Sequence, residues 1–106
     1  MNGVLLRFYM QESLKRGNVA LYEWLLERAK QLGIGGGSVF RGIAGFGHDG
    51  VFHEQHFVEL AGGLPLVVEF LSSEQNAGRL LDALKQEGVN VPYVKLPAEF
   101  GSTAAV

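Results

Sequence analysis

The residues best able to do chemistry gather in one glycine-rich stretch. Gly45-Phe46-Gly47-His48-Asp49-Gly50 formally satisfies a G-x-G-x-x-G pattern. That pattern serves a dinucleotide only when a helix follows at once and aims its N-terminal dipole at the pyrophosphate. Val51-Phe52-His53-Glu54-Gln55-His56 has no helical apolar stripe, and the chain is too short for the fold that carries the motif, so a dinucleotide site is rejected. Two readings of the glycines stay open: their N–H groups can approach an anion closely, or they permit a positive φ in a sharp bend. His48, His53 and His56 with Glu54 lack metal-ligand spacing, since positions 53 and 56 of a strand point to opposite faces. They read as exposed loop histidines that respond to pH if a partner buries them.

A second group is ionic. Alternation along the strands places Arg7, Arg41 and Glu69 on one side of the sheet, where Glu69 can face both arginines. Charges among apolar neighbours must be paired, so an Arg-Glu-Arg network is one reading. The other leaves one guanidinium partly free for a ligand carboxylate or phosphate. Glu12 and Ser13, just after the first strand, can reach a cleft between subunits. The serines and Thr103 lie in no nucleophile elbow, and no Walker loop is present, so no catalytic residue is assigned. Tyr22 and Trp24 read as core or interface aromatics.

These residues need elements to hold them. Val4, Leu6 and Phe8 alternate with Leu5, Arg7 and Tyr9, the period of a strand. Asn18 is a good N-cap for an amphipathic helix over roughly 19–32, with Leu21, Leu25, Ala29 and Leu32 on its apolar stripe and Gly33 at a left-handed C-cap. A second strand covers 39–44, with Val39, Arg41 and Ile43 on one face. A loop and strand extension run to Leu60, and a third strand spans Leu64 to Leu71. Ser72-x-x-Gln75 fits a capping box for a second helix that Gly88 stops. Val91 to Leu96 forms a last strand, suited to an edge by Pro92 and Lys95. The order β-α-β-β-α-β predicts an α+β, ferredoxin-like sandwich: a four-stranded antiparallel sheet with two helices on one face.

Two helices cover one face of such a sheet. The other face would carry Leu5, Tyr9, Val39, Ile43, Val67 and Leu71, a surface that self-association removes from water. A long loop folded over the sheet of a monomer is the alternative. At 106 residues, 47% hydrophobic and 19% charged, with a formal net charge of -2, the chain is one small globular domain and no polycationic nucleic-acid binder. It has no Cys, which excludes disulfides and thiolate metal sites and is compatible with a reducing cytoplasm. Arg7 interrupts the first apolar stretch, so no signal peptide is expected. No run is long enough to insert in a membrane.

Leu5-Leu6-Arg7-Phe8-Tyr9, Ala20-Leu21-Tyr22-Glu23, Val39-Phe40-Arg41-Gly42-Ile43-Ala44-Gly45-Phe46-Gly47 and Leu64-Pro65-Leu66-Val67-Val68-Glu69 together resemble the PII-like signalling family, a group related to the PII nitrogen regulators and the CutA-type proteins. The resemblance spans about residues 4 to 96 and is most specific in the Arg-Gly-Ile-x-Gly-Phe-Gly block. It implies a ferredoxin-like homotrimer whose subunit clefts bind adenine nucleotides. A protruding loop, entered through Gly-Phe-Gly, would engage enzymes, transporters or channels. Gly45-Phe46-Gly47 matches that entrance. His48 and Asp49 stand where PII proteins usually carry an Arg or Lys and a Gln, and only Gly88-Val89-Asn90 stands where they have a glycine- and lysine-rich phosphate loop. The loop has no Tyr, which rules out the tyrosine modification of some PII proteins.

The resulting expectation is a non-enzymatic, cytoplasmic, trimeric regulator, with residues 1–96 as a single domain and 97–106 as a flexible tail. It would sense a small anionic ligand, an adenine nucleotide being one candidate, between subunits and signal through the loop at residues 45–60 to a target enzyme, transporter or channel. Its ligand-binding candidates are Arg41, Gly45, Phe46, Gly47, His48, Asp49, Glu12 and Ser13, with no metal, no cofactor and no nucleic acid. The alternatives are a small ferredoxin-like alpha-beta barrel enzyme, with polar groups converging inside one subunit, and a structural trimer without ligand.

Overall fold

A computed structural model describes residues 1–47, the backbone of 52–54, and residues 63–104. Strand β1 (Asn2–Gln11) leads through a small hairpin, β2 (Lys15–Arg16) and β3 (Val19–Ala20), into helix α1 (Leu21–Gln31). Then follow β4 (Gly37–Arg41), β5 (Ala44–Phe46), β6 (Phe52–Glu54), β7 (Pro65–Ser72), helix α2 (Glu74–Gln86) and β8 (Tyr93–Glu99). The main sheet runs β4-β7-β1-β8, antiparallel throughout, with both helices on one face. This is the expected ferredoxin-like α+β fold.

The core follows from alternation. Val4, Leu6, Phe8 and Met10 of β1 and Leu66, Val68 and Phe70 of β7 are buried under Leu21, Leu25 and Ala29 of α1 and Ala77, Leu80, Leu81 and Leu84 of α2. Phe8 and Phe70 meet edge to face at 6.2 Å between ring centroids, a geometry that suits the aromatic quadrupole. Both helices stop by one device. Gly33 (φ 87°) and Gly88 (φ 69°) take the left-handed conformation. The residue after each glycine then donates its N–H back into the last turn, Ile34 to Ala29 O at 3.1 Å and Val89 to Leu84 O at 2.9 Å, which satisfies carbonyls that the helix leaves open.

The helix starts depart from expectation. Asn18 caps nothing: with Gly17 (φ 62°) it forms the turn of the β2–β3 hairpin, and α1 begins after Ala20 without a side-chain cap. A bond from Leu21 N to Leu14 O at 2.8 Å anchors that start instead. At α2 the cap is Ser73, whose Oγ accepts from Asn76 N at 3.1 Å. Ser72 is buried as the last core-facing residue of β7, and its hydroxyl donates to Ser73 O.

The second strand is also divided. The ladder from β4 to β7 ends where Gly42 N donates to Pro65 O at 2.7 Å. Pro65 has no N–H to return, and the chain leaves the sheet to pair β5 with β6. The faces of β4 are the reverse of those expected. Val39 lies opposite the buried Val68 and packs on the core, while Ser38 and Phe40 lie opposite Glu69 and Val67 on the helix-free face. Ile43 lies in the break between the strands, 79% exposed. Strand β8 starts at Tyr93, later than expected, and runs on through Pro97 to Glu99; Met1 and Phe100 then exchange two backbone bonds of 2.9 and 2.8 Å. It is an edge strand, as Pro92 and Lys95 implied.

Candidate functional site

At the end of the sheet where β1 finishes and β7 begins, four pieces of chain converge. Gln11 closes β1 opposite Pro65. The chain then turns, with Leu14 N donating to Gln11 O at 3.1 Å and Glu12 N to Leu64 O at 2.9 Å. Pro92 O, from the segment before β8, accepts from Tyr9 N at 3.1 Å. The fourth piece is the departing strand β5. Together they enclose a cavity of about 500 Å³, with Tyr9, Gln11, Gly45, Phe46, Gly47 and Asn90 among its walls.

The glycines at this point have a packing reason. A Cβ on Gly42 would stand 3.1 Å from Pro65 Cγ, and one on Gly45 3.3 Å from the same atom. Gly45 does not have a positive φ. Its lack of a side chain lets β5 cross Pro65 closely and leaves the cavity open above it, so the sharp-bend reading does not hold at this position.

Arg41 pairs with Glu12, not with Glu69. Arg41 lies opposite Leu66, on the helix side of the sheet, and Glu69 is on the other side. Its side chain remains 60% exposed at the rim. Tyr22 belongs to the same group: its hydroxyl donates to Glu23 Oε1 at 3.3 Å. The charge of Glu23, with partial burial and the charge of Glu12, holds this phenol above its usual value, while Arg41 opposes the rise. Glu69 instead binds Arg7, at 2.9 Å from Nε and 2.8 Å from Nη2. That bond raises the Arg7 pKa above its already high ordinary value, and a bond to Tyr9 adds to the rise. The expected Arg-Glu-Arg network is thus two separate pairs on opposite sides of the sheet.

A smaller cavity, about 340 Å³, adjoins the first through Leu14 and Asn90 and is bordered by Lys15, Arg16, Gly17 and Gly88. Arg16 is held firmly there. Its Nη1 donates to Glu87 O at 3.2 Å, its Nη2 to Glu87 Oε1 at 3.1 Å, and its guanidinium lies 5.0 Å from the Trp24 ring centroid. Arg28 binds the other Glu87 oxygen at 3.3 Å. Lys15 supplies a second positive charge at this wall.

Of the candidates named from sequence, Gly45, Phe46 and Gly47 line the larger cavity, and Arg41 and Glu12 meet at the nearby rim. Ser13 sits in the turn beside Gly63, outside the cavity wall. His48 and Asp49 lie outside the described residues, as do most of the loop and the His56 position. Sequence reasoning did not single out Tyr9, Gln11, Asn90, Lys15 or Arg16 as site residues. Gln11 had a signal: it continues the Leu5, Arg7, Tyr9 row to the end of its strand, a polar group on an apolar face. Among the described residues no group of three or more His, Asp or Glu side chains is placed to hold a metal, and no helix is long and apolar enough to cross a membrane.

The model of the DUF190 family, described as "Uncharacterized ACR, COG1993", matches residues 3–91. A UPF0166 protein of Aquifex aeolicus is 37% identical over 81 residues, covering 76% of this chain and 77% of the relative. Among solved structures, CPII from Thiomonas intermedia K12, a nitrogen regulatory PII-like protein bound to ADP, AMP and bicarbonate, superimposes with a TM-score of 0.69 at 18% identity, over 96% of this chain and 91% of that one. A putative PII-like signaling protein from Thermus thermophilus gives a TM-score of 0.58 at 23% identity, over 92% and 86% of the two chains.

Proposed function

This chain belongs to the DUF190 family and has a PII-like fold, and from that premise we propose that it is a non-enzymatic regulatory protein. It acts as a homotrimer in the cytoplasm, takes an adenine nucleotide in a cleft completed by the neighbouring subunit, and reports occupancy through the loop that β5 and β6 begin. A target enzyme, transporter or channel reads that loop. The observation that carries this reading is the larger cavity, where Gly45, Phe46 and Gly47, the root of the loop, form part of the wall. A ligand seated there touches the loop directly, so binding and loop position share one free energy.

The lining supports a regulator over an enzyme. Among the described residues no Asp, Glu, Lys, Arg or His, the side chains that most often serve general acid–base catalysis, lines the larger cavity. The anionic part of the ligand would extend toward Lys15 and Arg16 at the adjoining cavity. The trimer reading rests on the helix-free face, where Tyr9, Phe40, Leu71, Val94 and Leu96 are between 37% and 53% exposed. The reading of the chain as a single domain belongs to the same proposal, with the last strand carrying its edge past residue 96 to Glu99.

Calorimetric titration with ADP, AMP and ATP, together with light scattering, tests the function. The expected result is saturable binding by a particle of about 34.5 kDa, three times the 11.5 kDa chain, with slowed amide exchange over residues 45–56 on binding. A monomer at micromolar concentration that binds none of the three sinks the proposal.

A further inference from the structure

We propose that Gln11 selects the ring that enters the larger cavity, by pairing its side-chain amide with a heterocycle that carries a hydrogen-bond donor beside an acceptor. This rests on the nucleotide reading above and assigns it a specificity-determining residue. Gln11 lies on the open-face row of β1, opposite Pro65, and lines the cavity. Its Oε1 is shut off from solvent and accepts no hydrogen bond among the described residues. A carbonyl closed from water without a partner is costly, so nothing in this position holds the Gln11 amide against a ligand that donates to its oxygen. The terminal torsion of glutamine is broad, so the amide can turn its oxygen toward the cavity that the side chain lines.

The rest of the wall explains why an amide would decide the outcome. Met10, Leu14, Leu66, Val67 and Val91 are apolar and give no directional contact. Phe46 and Tyr9 supply aromatic surface of the kind on which a planar ring stacks. The one other side-chain amide of the described wall, Asn90, is exposed to water, so a bidentate contact from Gln11 sets the orientation and the choice of ring. An adenine ring offers its amino group as donor beside a ring nitrogen as acceptor, and a glutamine amide matches that pair with its own acceptor and donor. A site built in this way discriminates strongly against a ring lacking the amino group, because the protein amide is then left unpaired.

The test is calorimetric titration of the wild type and of Gln11→Leu with ADP and with purine riboside 5′-diphosphate, which lacks only the amino group. The wild type is expected to prefer ADP by about tenfold or more. Gln11→Leu should bind ADP at the level of the analogue and show no preference. If the wild type binds ADP but does not distinguish the analogue, the inference about Gln11 fails without recourse to any variant, and the nucleotide reading survives. The same holds if Gln11→Leu keeps the full preference. If the wild type binds neither compound, the inference about Gln11 falls, and the nucleotide reading falls with it when AMP and ATP also fail to bind.

Discussion

The two faces of the sheet are made of alternate residues of the same strands, and they end in different surroundings. On the helix side Leu6, Phe8 and Val68 are wholly buried. On the other side Leu5 and Val67 are half-buried, Tyr9, Phe40, Leu71 and Leu96 are more exposed still, and one ion pair, Arg7–Glu69, crosses between β1 and β7. Both faces are apolar in sequence. The difference is one of supply: helices of 11 and 13 residues cover a single face, and among the described residues no helix lies over the second, which β5 crosses only at its Pro65 end. Burial on the first face holds the chain together; apolar surface on the second is available to hold chains to one another.

The comparison is broken most forcefully from the covered side. Phe8→Ala removes a fully buried ring that contacts Phe70 and Tyr93, and should lower unfolding free energy by about 3–5 kcal/mol, measured by urea denaturation. A loss below about 1 kcal/mol would show that the core repacks and that the covered face is not the seat of stability. Next comes the open side. Leu71→Glu places a charge at a position 46% exposed in the single chain. It should turn the proposed trimer into monomers by light scattering while far-UV circular dichroism stays unchanged, with monomer stability altered by about 0.5 kcal/mol or less. A trimer that persists through this change removes the open face as the contact. The smallest effect concerns how the covering helices start. Ser73→Ala should cost about 1 kcal/mol by loss of the cap on α2, whereas Asn18→Ala, in a turn that caps no helix, should change stability by only about a few tenths of a kcal/mol.

Much of the covered face was legible in the chain. Val4, Leu6 and Phe8 share a face because a strand repeats every two residues, and Gly33 and Gly88 end helices because few other residues take a left-handed conformation without strain. The open face was legible for β1 and β7, whose long alternation holds register. It was misread for β4. Period two tells which residues share a face, while a neighbour's register tells which face that is, and pairing of Val39 with Val68 turned Val39 inward and Phe40 outward. The same reversal took Arg41 away from Glu69 and gave it to Glu12.

By itself, then, the sequence determined the order of elements, the fold, the apolar character of both sheet faces and the glycine-rich root of the loop, because each is written in local spacing and residue type. Tertiary structure alone decided which carboxylate each arginine meets, that β5 leaves the sheet at Pro65, and that Gln11, Phe46 and Asn90, far apart in the chain, share one cavity. These depend on register and on close approach between distant segments, and no local pattern encodes a distance between residues that only the folded chain brings together.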